Sequence, residues 1–139
     1  MAVDSMRQKM KSSLEEMVGL IEGVEGFLDE RGVGLKTAYS VNLVLEEVIT
    51  NIIKYGYDDQ DMHEVRVEVG LRDGGVGIVI EDDGHEFNPL EAEDPDMESA
   101  LEDREPGGLG LFLTKSVTTE AAYVRSKGMN VLTLFVPER

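Results

Sequence analysis

The chain has 139 residues and contains neither cysteine nor tryptophan. Without cysteine there is no disulfide framework and no thiolate zinc site. Basic residues are scarce: 13 Lys and Arg stand against 29 Asp and Glu, a formal net charge of −16. Such a surface repels nucleic acid phosphates and excludes a broad nucleic-acid-binding face. Its plain reading is a solvated, soluble exterior; its sharper reading is a surface that meets a basic protein partner. Long apolar runs are missing too, and none approaches the roughly 20 residues of a membrane span. No signal peptide opens the sequence, so the expected location is cytoplasmic. Proline is sparse, with three of the four clustered at Pro89, Pro95 and Pro106.

What remains is an ordinary globular composition, 41% hydrophobic and 30% charged. That length and composition predict one domain over residues 1–139 with a single core. Residues 1–11 read as a flexible start or an edge strand. Ser12 or Ser13 opens a capping box with Glu15 or Glu16, and Leu14, Met17, Val18, Ile21, Val24 and Leu28 then recur at helical spacing. Gly32-Val33-Gly34 ends that helix. A second helix fits Lys36 to Tyr55, stopped at Gly56, with Val41, Leu45, Val48 and Ile52 on one face. Val65, Val67, Val69 and Leu71 alternate with polar residues, and Asp73-Gly74-Gly75 turns the chain into a returning strand, Val76 to Glu81.

Residues 85–106 are acidic, proline-bearing and poor in large apolar side chains, the mark of a long functional or disordered loop. A third helix begins near Gly108. A closing hairpin pairs Ala122–Ser126 with Val131–Val136 around Lys127-Gly128-Met129-Asn130. The seven methionines read as core packing. His63 and His85 read as surface or loop residues, unsuited to a metal site or a phosphoacceptor helix.

Three elements carry chemistry. At about 100° per residue, Glu47, Asn51 and Lys54 share a narrow helical stripe, while Glu46 lies one step around the helix. The amide oxygen of Asn51 suits Mg2+, and Glu47 suits acceptance of a proton from an attacking hydroxyl. The plain alternative is a solvated polar face. Asp82-Asp83-Gly84 follows a strand; a carboxylate there accepts a hydrogen bond from the exocyclic amine of adenine, and Gly84 permits a close turn. The alternative is an acidic turn. Gly107-Gly108-Leu109-Gly110 opens a helix, where free N–H groups bind phosphate oxygens. It lacks the Lys-Ser/Thr of a P-loop and the Rossmann spacing, and the alternative is a hinge. An ATP site in so acidic a chain also needs Mg2+ to offset charge repulsion.

In this order the motifs resemble the GHKL (Bergerat-fold, histidine-kinase-like) ATPase superfamily, and within it the anti-sigma-factor serine/threonine kinases. The resemblance runs from about residue 12 to the end and is densest in Leu45–Tyr57, Glu81–Leu90, Gly107–Leu113 and Asn130–Leu134. Phe87-Asn88-Pro89 and Asn130-Val131-Leu132 favour this subgroup over sensor histidine kinases, which also require a phosphoacceptor helix. The resemblance implies a two-layer α/β sandwich with a mixed, mostly antiparallel sheet and helices on one face. By position, it implies Glu47 as general base, Asn51 as Mg2+ ligand, Asp82 with Gly84 at adenine, and Gly108, Leu109, Gly110 and Leu111 at the phosphates. Residues 88–106 match the ATP lid. It further implies ATP as phosphoryl donor, a sigma factor and an anti-anti-sigma antagonist as partners, and a homodimer. Glu86 and Thr118-Thr119-Glu120 depart from the family pattern, at the lid entry and at a partner-contact segment. A nucleotide-gated binding module without kinase activity is the alternative function.

Overall fold

The computed structural model describes residues 4–91 and 108–139, the side chain of Leu109 excepted. The chain runs β1 (Ser5–Lys11), α1 (Leu14–Glu30), α2 (Leu35–Tyr55), β2 (Glu64–Arg72), β3 (Gly75–Asp82), a short 3-10 turn (Pro89–Glu91), α3 (Gly108–Val117), β4 (Glu120–Ser126) and β5 (Met129–Pro137). Within the range 1–11, Ser5–Lys11 is therefore an edge strand. Of the lid range 88–106, only Asn88 to Glu91 fall among the described residues.

Ser13, not Ser12, caps α1: its Oγ accepts from the Glu16 amide at 3.2 Å, and Glu16 Oε1 accepts from Lys11 N at 3.0 Å. Ser12 has another task, because β1 ends where β2 begins. It exchanges two hydrogen bonds with His63, Ser12 N to His63 O at 2.8 Å and His63 N to Ser12 Oγ at 2.9 Å. At the other end of α1, Gly32 takes φ 72° and the Val33 N–H returns to Leu28 O at 3.0 Å, closing the helix as its glycine predicts.

The five strands form one sheet in the order β1-β2-β3-β5-β4, and every pairing is antiparallel. The sheet is thus antiparallel throughout the described residues rather than mixed. The reason lies in the last hairpin. β3 and β4 run in the same direction, but β5 folds back between them, so no two parallel strands become neighbours. Lys127 and Gly128 make this reversal possible with φ of 53° and 77°, the paired left-handed conformation of a two-residue hairpin turn.

Alternation sends Val65, Val67 and Val69, Ile78 and Ile80, and Leu132, Leu134 and Val136 to the helix-covered face, where α1 and α2 add Leu20, Val24, Leu28, Val41, Leu45 and Ile49. Burying each such side chain contributes about 1.5–3 kcal/mol. On α1 the buried face is rotated from the expected one: Leu20, Val24 and Phe27 point inward, while Leu14 and Val18 are about half exposed. The methionine expectation holds in part, since Met10 and Met17 are in the core but Met62 is 61% exposed. The uncovered face bears a depression of about 540 Å³ lined by Arg7, Lys9, Arg66, Glu68, Val79 and Glu81. Among its charges, Arg7 pairs with Glu68 at 3.4 Å, and Arg66 lies 4.0 Å from Glu81.

Candidate nucleotide site

Helix α2 carries Glu47 and Asn51 one turn apart, both half-buried, with Lys54 exposed a further turn along and Glu46 exposed beside them. Asn51 Nδ2 donates to the Glu47 backbone carbonyl at 2.9 Å. That bond occupies the amide nitrogen and leaves Oδ1 without a hydrogen-bond partner among the described residues. A single neutral oxygen suits Mg2+, which binds through one or two protein ligands and completes its shell with phosphates and water. Among the described residues, no cluster of three or more His, Asp or Glu could hold a metal by itself.

The Glu47 carboxyl is pushed above its ordinary value, first by burial and then by the neighbouring charge of Glu46, with Lys54 pulling the other way. Its surroundings include the first turn of α3. A Cβ built on Gly110 would fall onto Glu47 Oε2 and Cδ and come within 3.1 Å of Cγ. Glycine at 110 is therefore what lets α3 begin against this carboxylate. The helical segment from Gly108 and the buried Leu111 continue from that contact.

The other end of α2 reaches the turn after β3. Gly56 O accepts from His85 N at 2.9 Å, and a Cβ on Gly84 would sit 2.6 Å from that same carbonyl. From Glu47 to Gly56 the helix axis covers about 13 Å, comparable to the reach of an extended nucleoside triphosphate. The fold thus brings Glu47, Asn51, Gly110, Asp82 and Gly84 along one helix, from the entry of α3 to the end of β3.

Asp82 is 5% exposed. Its Oδ1 accepts from Gly84 N at 2.9 Å and from Asn130 Nδ2 at 3.0 Å. Burial raises its pKa, while those two bonds and Arg125 work against the rise. With Oδ1 doubly engaged, Oδ2 is the oxygen left to accept from a ligand amine. The sequence placed Asn130 in the hairpin turn and in a resemblance, without a chemical role, and did not single out Tyr123 or Arg125; the turn is in fact Lys127-Gly128, and Asn130 lies within β5. The register explains their importance: Arg125, Asn130 and Asp82 form one row across β4, β5 and β3. Asn130 Oδ1 accepts from Tyr123 OH at 2.5 Å, from Arg125 Nη1 at 3.2 Å and from Phe87 N at 3.3 Å, and its Nδ2 also donates to His85 O at 2.8 Å. Arg125 Nη1 further donates to Gly84 O at 2.8 Å. Only the turn residues Lys127-Gly128 gave a sequence signal here, since they set Arg125 opposite Asn130.

Residues 10–136 match the family described as the histidine kinase-like ATPase domain. The chain is 30% identical over 98 residues to the serine/threonine-protein kinase BtrW of Bordetella bronchiseptica, covering 69% of this chain and 68% of that protein. It is 22% identical over 136 residues to the serine-protein kinase RsbW of Bacillus velezensis, covering 94% of this chain and 84% of that protein. Among solved structures, the RsbU and RsbW domains of a Mycobacterium tuberculosis protein match with a TM-score of 0.69 at 15% identity, over 96% of this chain and 32% of that one. The chain therefore spans about a third of that structure. The Acinetobacter baumannii histidine kinase AdeS matches with a TM-score of 0.51 at 14% identity, over 96% of this chain and 68% of that one. These two structural likenesses concern the fold.

Proposed function

The chain belongs to the histidine kinase-like ATPase domain family, and from that premise we propose that it is an ATP-dependent protein serine/threonine kinase acting as an anti-sigma factor. In this reading it phosphorylates an anti-anti-sigma antagonist and sequesters a sigma factor, as a cytoplasmic homodimer. The relatives named as serine kinases support the reaction class. The observation that carries the reading is the contact between Glu47 and Gly110. It puts a carboxylate with a raised pKa beside the glycine-rich entry of a helix, the two groups that proton acceptance and phosphate binding need side by side.

In this reading each residue takes one role. Asp82 Oδ2 accepts from the adenine amine while Gly84 keeps the turn close. The N–H groups from Gly108 to Leu111 face the phosphates. Glu47 takes the proton of the substrate hydroxyl as its oxygen attacks the γ-phosphorus, and ADP leaves. Asn51 Oδ1 would hold Mg2+, which when bound neutralises charge on the phosphate oxygens.

The test is transfer of label from γ-radiolabelled ATP to purified antagonist candidates, together with affinity for sigma factor and antagonist in ATP and in ADP. Transfer to a serine or threonine that disappears in Glu47→Ala is the expected result. ATP binding without transfer to any antagonist would leave a nucleotide-gated binding module. Equal partner affinities in both nucleotides would remove the switch, since only differential binding shifts an equilibrium.

A further inference from the structure

The segment joining α2 to β2 has so far had no role, yet it lies against the turn assigned to the base. Tyr57 and His63 bracket this segment, and their rings stack with centroids 3.8 Å apart at an interplanar angle of 3°. Both reach the same carboxylate of that turn. Tyr57 OH donates to Asp83 Oδ1 at 3.1 Å, and His63 Nδ1 lies 3.7 Å from Asp83 Oδ1. The second nitrogen of His63, Nε2, is 2.7 Å from Asp59 Oδ1. The His63 backbone is clipped to Ser12 at the end of β1, so the ring stands on a fixed base.

We propose that Tyr57 and His63 are positioning residues for nucleotide binding: the stacked pair holds Asp83, and through it the Asp82–Gly84 turn, and it holds best when His63 is protonated. This inference rests on the reading of Asp82 as the base anchor. Its physical root is charge. At 3.7 Å Nδ1 is beyond hydrogen-bond reach of Asp83 but within ion-pair distance, so a neutral ring bonded to Asp59 holds Asp83 weakly, whereas imidazolium keeps Asp59 and also attracts Asp83. The charged groups facing the ring are Asp59 and Asp61 of its own segment and Asp83 of the turn. Tyr57 covers one ring face, and the β1 end contributes uncharged Ser12. The His63 pKa is raised, chiefly by its hydrogen bond to Asp59, with desolvation opposing. Its bracing effect is therefore fully present below the ordinary histidine value of 6.5 and fades as pH rises through the raised one.

The experiment is affinity for a fluorescent ATP analogue at about pH 6 and about pH 8.5, in the wild type and in His63→Gln, Tyr57→Phe and Asp82→Asn. The γ-phosphate also titrates, but identically for every variant, so the comparison isolates the protein. Between the two pH values the wild type should lose affinity by about two- to fivefold more than His63→Gln, the range of a partly exposed ion pair. Tyr57→Phe should bind more weakly at both values with the wild-type pH dependence. Binding and protonation are reciprocal, so saturating nucleotide should raise the His63 pKa followed by NMR in the unmutated protein. A His63→Gln profile that parallels the wild type, or a His63 pKa indifferent to nucleotide, overturns the proposal while Asp82→Asn still loses the analogue. If Asp82→Asn binds like the wild type, the base-site reading itself fails and this inference fails with it.

Discussion

Gly110 and Glu47 touch: the position a side chain would occupy at 110 is filled by the Glu47 carboxylate. Two segments more than 60 residues apart in sequence thereby share one small volume. The contact couples the start of α3 to the rotamer of a half-buried acid, so neither can change alone.

Gly110→Ala should expose that coupling. The new methyl has nowhere to go unless Glu47 swings away or α3 shifts at its first turn. Phosphoryl transfer should fall by about 10²-fold or more, as when a general base is displaced, while Gly19→Ala on α1, where an added Cβ meets nothing within 4 Å, serves as the benign control. Single-turnover rates measure both. Wild-type transfer by Gly110→Ala would mean that the carboxylate position is irrelevant to chemistry.

Glu47→Ala should lower transfer by about 10²–10⁴-fold and leave ATP affinity within a few fold, whereas exposed Glu46→Ala should do neither. The raised pKa of Glu47 sets the pH direction. A base works deprotonated, so the rate should drop as pH falls through a value above the ordinary 4.5. A pH–rate profile of the intact enzyme checks this, and an acid limb at or below the ordinary value would argue for another base.

Asp82→Asn should separate function from stability. The folded pKa of Asp82 is raised mainly by burial, so the native state binds the proton more tightly than the unfolded chain. Between the unfolded and folded pKa values stability falls as pH rises, and at neutral pH the ionised carboxylate is held at a cost. Replacing it with an uncharged amide of the same shape should leave urea-unfolding stability equal or higher at neutral pH, while ATP binding weakens. A marked loss of stability would show that the carboxylate is part of the scaffold.

Asn130→Ala should lower stability and ATP affinity together. It strips partners from Tyr123 OH, Arg125 and His85 O and leaves Asp82 Oδ1 with the Gly84 amide alone. Losing partners for buried polar groups costs about 1–3 kcal/mol, so the melting temperature should fall together with ATP affinity. An unchanged melting temperature would mean that water replaces the amide at no cost.

Much of this architecture was legible before any coordinates. The apolar alternation in β2, the spacing of Val41, Leu45 and Val48 on α2 and the glycine after α1 each report a local preference that the fold obeys. The inward face of α1 was harder to read, because Leu14 and Val18 are apolar yet flank the packed stripe instead of filling it. Periodicity locates a stripe only to within its width, and packing against the sheet selects the part that is buried.

The sequence by itself determined which chemical groups exist and their neighbours along the chain: Glu47 one turn from Asn51, Asp82 before a glycine turn, glycines at the entry of α3, and a large excess of acidic over basic residues. Those are matters of helical pitch, turn conformation and composition, all set by residues close together in the chain. Tertiary structure decided which of these groups meet. The row Arg125–Asn130–Asp82 exists only because β5 inserts between β3 and β4. Gly110 reaches Glu47, and Tyr57 and His63 close on Asp83, only after α2 has packed on the sheet. Contacts between distant segments depend on strand order and register, which balance the burial of the whole core against chain entropy, and no local pattern encodes that balance.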